Sequence, residues 1–353
     1  MSNYLYIQAV NLLKQLISTP SFSTKENETA NILVDFFTKQ YIPCKRVGNN
    51  VYASIKNYDV AKPTILLNSH HDTVMPNSAY TLHPFTPIEM DGKLYGLGSN
   101  DAGGCLVALA ATFIYFYHAP SLQYNIVFAA TAEEEISGKQ GIEMLLPFLG
   151  NINCAIVGEP TQLQLAIAER GLLVMDCTAS GKTGHAATVS GANALYIAVE
   201  DIQKLQKIEF DKVSELLGKT KLTVTSIETE NKQHNMVPAS CQFVIDVRLN
   251  EMYNFNEVIT IIQQQIKSTC VPRSTRLKST SISMQHPLVV AGLKLGKQCY
   301  GSPTLSDKAL MPFAALKMGP GNSQRSHSAD EFIYLIEIKE GIDTYIKLLL
   351  QLL

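Results

Sequence analysis

The hydrophobic positions of the chain follow two alternating spacings, one typical of helices and one typical of buried strands. Apolar side chains at helical spacing cover residues 3–17, 26–37, 104–117 and 139–148. Short apolar runs, which predict strands, lie at residues 44–47, 51–55, 64–68, 125–130 and 154–157. Ser23 and Glu26 have the spacing of a capping box, which predicts the start of the second helix. Apolar strands alternating with helices predict an α/β fold with a doubly wound, largely parallel sheet.

The pattern changes near Gly171. Residues 172–186 and the alternating runs 222–227 and 241–249 predict strands, and residues 193–205 and 255–266 predict helices. This gives roughly a β-α-β-β-α-β order, which is the ferredoxin-like arrangement of a small two-layer domain. The α/β pattern then returns and closes with a predicted helix over residues 330–352. We therefore predict a large domain formed by residues 1–171 and 280–353, with a small domain, residues 172–279, inserted into it.

Composition and charge exclude several classes of protein. Hydrophobic residues make up 46% and charged residues 17% of the chain, which is typical of a folded core rather than of a disordered chain. The net charge of −2 indicates neither a nucleic-acid partner nor an anionic membrane. No apolar run approaches the roughly 20 residues that span a bilayer, and the N-terminus lacks the features of a secretory signal. The seven cysteines are scattered and contain no CxxC, so we predict reduced core thiols and a cytoplasmic protein.

Clusters of polar residues follow several of the predicted strands. They read HHD (70–72), SNDAGG (99–104), TAEEEISG (131–138), VGEPT (157–161) and SHSADE (326–331). Each alone has an ordinary explanation: HxD as a surface pair, EEE as a solvated helix start, VGEPT as a strand and a turn. Together they supply the imidazole and carboxylate side chains that zinc, cobalt or manganese accept. Because ligands bind at the carboxyl ends of strands in open α/β sheets, the combination predicts a metal site there.

These five motifs resemble those of the two-zinc family of aminoacylases, carboxypeptidases and deacetylases, and the resemblance covers essentially the whole chain. Within that family, the sequence VGEPTQLQLAIAERG most resembles acetylornithine deacetylase, followed by succinyl-diaminopimelate desuccinylase. The resemblance implies a zinc-peptidase-like catalytic domain with a doubly wound mixed sheet. It also implies that the inserted ferredoxin-like domain serves as a lid and dimerisation domain, and that the peptide bond from Asp101 to Ala102 is cis.

The resemblance also implies a role for each polar residue. One metal ion would be bound by His70 and Glu159, the other by Glu135 and His327, with Asp101 bridging the two. Glu134 matches the family's general base. It would take a proton from a water molecule between the two divalent ions and so form a hydroxide. Zinc is the first choice for both ions. The remaining positions would not bind metal: Asp72 would orient the His70 imidazole, and His71 and Glu133 would lie outside the metal site.

A second set of implied residues concerns the substrate. The segment GKTGHAATVSGANAL (181–195) is similar to the family's lid segment, whose histidine, here His185, reaches the partner subunit's active site to stabilise an oxyanion. This implies a homodimer; without the resemblance, His185 would be a surface loop residue. Asn235 and Arg248 match positions near the substrate, although Arg248 could equally be an exposed strand residue. Gly321, in the run GPGNSQRS, could present backbone N–H groups to a substrate carboxylate.

The predicted activity is removal of an acetyl or succinyl group from N-acyl-L-ornithine, in arginine biosynthesis. Alternatives are desuccinylation of succinyl-diaminopimelate and a dipeptidase or aminopeptidase activity of the same family. A rival from a different class is a dimeric binding protein that lost turnover, but such a chain should have lost Glu134 or a ligand. No GxSxG motif indicates a serine nucleophile. In this chain Met75 separates the DTV sequence from Pro76, whereas the family usually has a proline directly after DTV. SNDAGG also lacks the family's usual arginine and lysine. The substrate preference therefore stays open.

Overall fold

The computed structural model describes residues 2–120, 122–188 and 192–353. Residues 189–191 of the predicted lid segment therefore lie outside the described part. The chain divides into two compact units. The first comprises Met1–Ile167, Ser281–Tyr300 and Ser306–Leu353, and the second comprises Ala168–Thr280 and Gly301–Leu305.

Within the described residues the chain forms eight α-helices and twenty strands. The helices are α1 (Ser2–Ile17), α2 (Asn27–Lys39), α3 (Gly104–Tyr117), α4 (Ile142–Leu145), α5 (Ala194–Leu205), α6 (Phe255–Gln265), α7 (Pro287–Lys294) and α8 (Leu335–Leu349). The strands are β1 (Lys45–Val47), β2 (Asn50–Ser54), β3 (Thr64–His70), β4 (Ile88–Met90), β5 (Lys93–Tyr95), β6 (Asn125–Thr131), β7 (Cys154–Val157), β8 (Leu165–Glu169), β9 (Gly171–Ser180), β10 (Gly184–His185), β11 (Val213–Ser214), β12 (Gly218–Lys219), β13 (Lys221–Thr229), β14 (Met236–Val237), β15 (Ser240–Leu249), β16 (Thr269–Pro272), β17 (Thr280–Ser281), β18 (Cys299–Ser302), β19 (Ala314–Lys317) and β20 (Phe332–Tyr334).

A mixed nine-stranded sheet forms the centre of the fold. Its order is β1-β2-β6-β3-β7-β19-β8-β17, and β18 pairs with β8. The middle of the sheet is parallel, because β3 pairs in parallel with both β6 and β7, and β7 with β19. Every residue of β3 and β6 is buried, as expected for strands that are covered on both faces. The mixed α/β class that the sequence predicted is confirmed.

Helix α3 is apolar on nearly its whole circumference and is therefore buried rather than amphipathic. It packs against α1 and α8 in the large hydrophobic core of the first unit. This packing determines where the segment just before α3 lies, and that segment carries Asp101. The predicted final helix began too early, because Phe332–Tyr334 is instead strand β20, paired antiparallel with β5.

The second unit has its own hydrophobic core and a four-stranded antiparallel sheet in the order β13-β15-β9-β16. Helix α5 follows β9 and α6 follows β15, which is the β-α-β-β-α-β succession of two-layer domains. Buried and less buried residues alternate along β9 and β15, as expected when one face of a sheet packs on helices.

The cysteine prediction was wrong in one respect. Cys177 on β9 and Cys270 on β16 are directly opposite each other in the antiparallel register and form a disulfide. The other five cysteines are free thiols. Because disulfides persist mainly in oxidising compartments, the cysteines no longer support a cytoplasmic location, which stays a prediction. Among the described residues, no helix combines the length and the apolar character that crossing a bilayer requires.

Candidate active site

The carboxyl ends of three neighbouring parallel strands bring most of the predicted site together. In the register of the sheet, His70 at the end of β3 is opposite Thr131 at the end of β6. Asn68 of β3 is opposite Val157, the last residue of β7. The polar residues that follow these strands therefore emerge side by side at one edge of the sheet, as the sequence predicted.

His70 lies at the centre of a first cluster of possible metal ligands, together with Asp101 and Glu159. Its imidazole is buried, and Nε2 lies 3.4 Å from Asp101 Oδ1 and 3.8 Å from Glu159 Oε1. On the other side of the ring, Nδ1 donates to the carbonyl oxygen of Asp72 at 3.0 Å. A neutral imidazole that donates from Nδ1 has a lone pair on Nε2, so this nitrogen is free to bind a cation.

A second cluster contains Asp101, Glu135 and His327. His327 Nε2 lies 2.9 Å from Glu135 Oε2 and 3.6 Å from Asp101 Oδ2. Asp101 therefore contributes one carboxylate oxygen to each cluster. It lies in the irregular segment Ser99–Gly103, in which the peptide bond from Asp101 to Ala102 is cis.

Two buried polar atoms show that the first cluster fits a cation. Among the described residues, neither His70 Nε2 nor Glu159 Oε1 has a hydrogen-bond partner, although both are fully buried. Orphaned polar atoms are costly, and a divalent ion that accepts lone pairs from both would remove this cost. The electrostatics agree, because burial raises the pKa of Glu159 to about 8; Lys317 opposes this shift and the Asp101 carboxylate adds to it. A positive charge between the carboxylates would keep them ionised.

Glu134 lies next to the clusters but in neither of them, with Oε2 3.9 Å from His70 Nε2. Burial raises the pKa of Glu134 well above its usual range; His70 opposes this effect and Glu159 strengthens it. The neighbouring acid, Glu133, points elsewhere and accepts a hydrogen bond from the Gln140 backbone N–H at 3.1 Å. A carboxylate with a raised pKa beside a ligand cluster is suited to proton transfer.

Asp72 holds the Glu134–Glu135 backbone as well as His70. Its carboxylate accepts the N–H groups of Glu134 at 3.0 Å and Glu135 at 3.1 Å. Ser23 Oγ donates to the same carboxylate at 2.7 Å. The predicted capping box is therefore wrong. The Ser23 hydroxyl donates to Asp72 instead of capping a helix, and α2 begins at Asn27 with no side-chain cap. The sequence carried no signal for this long-range contact.

His71 is buried and both of its ring nitrogens have protein partners. Nδ1 lies 2.9 Å from Thr29 Oγ1, and Nε2 lies 2.9 Å from the Asn49 carbonyl oxygen. Burial lowers the pKa of His71 to about 4, although Asp72 opposes this shift. His71 is therefore a neutral histidine engaged in the surrounding structure, and neither cluster includes it.

Asn100 connects the segment around Asp101 to the loop that contains Gly321. Its Oδ1 accepts the Asn322 N–H at 3.0 Å and its Nδ2 donates to the Asn322 carbonyl at 3.1 Å. Gly321 has a φ of 88°, and a Cβ there would lie 2.5 Å from Asn100 Oδ1. The position therefore requires glycine. Sequence reasoning passed over Asn100 and Glu331, although both stand inside the motifs that it selected.

Three predicted substrate residues lie in the second unit. His185 belongs to β10, which pairs with β14, and the Ala186 N–H donates to the Asn235 carbonyl at 2.9 Å. His185 and Asn235 are thus brought close together. Arg248 lies on β15 and forms a bidentate ion pair with Asp246. Its Nε and Nη2 donate to the two carboxylate oxygens at 2.8 and 3.0 Å. The roles of these residues stay predictions.

The fold and this arrangement of acids and histidines define a class of α/β hydrolytic enzyme. Residues 66–351 match peptidase family M20/M25/M40, and the chain belongs to this family. The prediction of a hydrolase of the aminoacylase and deacetylase kind is confirmed at this level.

Relatives and solved structures agree with this assignment. A succinyl-diaminopimelate desuccinylase of Rickettsia rickettsii (strain Sheila Smith) is 28% identical over 282 residues, which cover 74% of each protein. One from Rickettsia canadensis (strain McKiel) is 26% identical over 385 residues, which cover 98% of this chain and 99% of that protein. The crystal structure of aminopeptidase PepT from Bacillus cereus is similar with a TM-score of 0.79 at 17% identity and covers 98% of both chains. This last likeness concerns the fold.

Proposed function

We propose that this protein is a metal-dependent amidohydrolase that removes the acyl group of an N-acyl amino acid. The observation that carries the proposal is the convergence of His70, Asp101, Glu135, Glu159 and His327 into two clusters that share Asp101. Glu134 lies beside the first cluster, with Oε2 3.9 Å from His70 Nε2, and could accept a proton there.

The first substrate to test is succinyl-diaminopimelate. The two Rickettsia relatives are named for this substrate, which favours the alternative over the predicted action on N-acyl-ornithine. N-acyl-ornithine remains the second candidate, because the sequence of residues 157–171 resembles acetylornithine deacetylase. A role in arginine biosynthesis therefore depends on the outcome of the substrate assays.

The two clusters would each hold one divalent ion, with zinc as the first candidate and cobalt or manganese as alternatives. His70, Asp101 and Glu159 would bind one ion, and Asp101, Glu135 and His327 the other. Such ions supply Lewis acidity, which lowers the pKa of water and polarises an amide carbonyl. The mixture of imidazole and carboxylate donors is the mixture that these metals accept.

The protein's own residues manage the proton. Glu134 accepts a proton from the attacking water and later delivers it to the departing amine, because its carboxylate lies beside the first cluster, 3.9 Å from His70 Nε2. Asp72 keeps Glu134 in place through the backbone N–H groups of residues 134 and 135. It also accepts the Nδ1–H of His70 on its backbone carbonyl, so that Nε2 faces the site.

We also propose a homodimer formed through the second unit, in which His185 would serve the partner's active site. One observation supports a pairing surface there: within the described residues, β13 is an edge strand, paired only with β15, and most of it is exposed. An unpaired edge strand is a ready template for a second chain. Light scattering of the purified protein at several concentrations tests this, and a monomer throughout would reject it.

The experiment that tests the function is an assay of purified, zinc-loaded protein on a panel of substrates. The panel contains succinyl-diaminopimelate, N-succinyl- and N-acetyl-ornithine, and dipeptides with a free amino group. We expect turnover of an N-acyl amino acid. Cleavage of the dipeptides alone would replace this assignment with a peptidase. Metal binding without turnover of any substrate would favour the binding-protein rival.

A further inference from the structure

We propose that Glu331 is a positioning residue that holds the Asp101 carboxylate where both ligand clusters need it. The inference rests on the proposed two-metal site. Asp101 is the residue that the two clusters share, so whatever fixes Asp101 acts on both sites at once. Glu331 lies 230 residues further along the chain and belongs to neither cluster.

Glu331 is buried, and its carboxylate accepts three backbone N–H groups from the segment that carries Asp101. Oε1 accepts from Asn100 at 2.8 Å and from Asp101 itself at 2.9 Å. Oε2 accepts from Gly98 at 3.0 Å. The Glu331 backbone carbonyl also accepts the Gly96 N–H at 2.9 Å. Glu331 thus accepts four backbone N–H groups of the segment that leads into Asp101, three of them through its side chain.

The local backbone cannot supply these partners itself. Gly98 has a φ of 74°, and Asp101 and Ala102 have φ/ψ values of −116°/97° and −117°/30°, so the segment makes no regular helical ladder. Buried N–H groups without partners are costly, so an acceptor from elsewhere in the chain has to satisfy them. The Glu331 carboxylate therefore takes the place that carbonyl oxygens have in a helix.

The position of Asp101 leaves little tolerance. Its Oδ1 lies 3.4 Å from His70 Nε2 and its Oδ2 lies 3.6 Å from His327 Nε2, so each oxygen faces a different cluster. Metal sites require ligand distances correct to within about 0.2 Å. A turn that relaxes when Glu331 is lost would displace both oxygens together, which weakens both sites rather than one.

Asp201 in the second unit offers a matched control. It is also a buried acid, and its carboxylate accepts the N–H groups of Lys267 and Ser268 and the Ser268 hydroxyl. Asp201→Asn should therefore disturb backbone hydrogen bonding in a way similar to Glu331→Gln, but away from any candidate ligand.

The test is calorimetric titration of metal-free protein with Zn²⁺ alone, for wild type, Glu331→Gln, Glu331→Asp and Asp201→Asn. We expect two zinc ions in wild type and in Asp201→Asn. In Glu331→Gln we expect both affinities to fall about 10- to 100-fold, the usual effect of losing a group that orients a ligand. Glu331→Asp keeps the carboxyl group but is shorter, so its affinities should fall between those of wild type and Glu331→Gln.

A second measurement separates positioning from mere stabilisation. The rise in melting temperature on adding Zn²⁺ should shrink in Glu331→Gln and stay unchanged in Asp201→Asn, because ligand stabilisation follows affinity. If Glu331→Gln does not fold, Glu331→Asp gives the answer by the same two measurements. Wild-type affinity at both sites in the folded Glu331 variants would overturn this inference alone. Failure of wild type to bind zinc would overturn the proposed function as well.

Discussion

Replacing Glu134 with glutamine should abolish most of the turnover and leave the metal site intact. The change keeps the size of the side chain and removes its ability to accept and carry a proton. Glu134 is in neither ligand cluster, and Asp72 holds its backbone N–H rather than its side chain. The local structure therefore has no reason to change.

The size of the effect follows from the surroundings of Glu134. A positioned general base contributes about 10²- to 10⁴-fold to a rate, which corresponds to about 2.7–5.4 kcal/mol of barrier. We expect the upper half of this range, because two buried acids that act on Glu134 but are in neither cluster, Asp72 and Asp307, already have partners. Asp72 accepts two backbone N–H groups and the Ser23 hydroxyl, and Asp307 accepts the Thr131 hydroxyl at 2.6 Å.

The assay is kcat and KM on the best substrate of the panel, together with zinc content by elemental analysis. Glu133→Gln is the matched control, because Glu133 is the adjacent acid and its carboxylate accepts the Gln140 N–H instead of facing the clusters. It should keep most of the activity. Two results would refute the reasoning: a Glu134→Gln enzyme within tenfold of wild type, or one that has lost zinc in proportion to its activity.

Three other predictions follow from the same contacts. Dialysis against a chelator should abolish activity and lower the melting temperature, and zinc should restore both; activity that survives complete metal removal would contradict the proposed chemistry. Gly321→Ala should destabilise the protein by about 1–3 kcal/mol, because a φ of 88° and the Asn100 side chain both exclude a Cβ; unchanged urea unfolding would show that the loop relaxes freely. Thiol titration of the unfolded, unreduced protein should find five reactive cysteines, and reduction should lower stability by about 2–4 kcal/mol; seven reactive thiols would exclude the Cys177–Cys270 bond.

Local patterns predicted most of the helices and several of the longer strands, but strands β8 and β19 of the central sheet were not predicted. Strand β7 was predicted with its observed bounds, because a run of four apolar residues followed by glycine has the length of a buried strand rather than of a helix. Residues 332–334 were predicted as helix, but pairing with Tyr95 and its neighbours makes them a strand. The spacing of Ser23 and Glu26 matched a capping box, yet the Ser23 hydroxyl donates to Asp72, 49 residues away.

The candidate site divides in the same way. Imidazoles and carboxylates that follow predicted strands can be found in the sequence. They lie close together in the structure because β3, β6 and β7 are parallel, so their carboxyl ends are side by side. Residues that hold these ligands through backbone N–H groups, such as Glu331, have no sequence pattern of their own. The pairing of Cys177 with Cys270 likewise depends on the register of β9 and β16.

The ligand clusters combine residues from five separate stretches of one unit, and the last of them, His327, comes after the second unit in chain order. A ribosome must therefore have synthesised the whole second unit and residue 327 before the proposed pair of metal ions can bind tightly. Conversely, zinc release into a coloured chelator would report the moment at which the first unit loses its native structure. The rate of metal release would then measure the rate at which this unit unfolds.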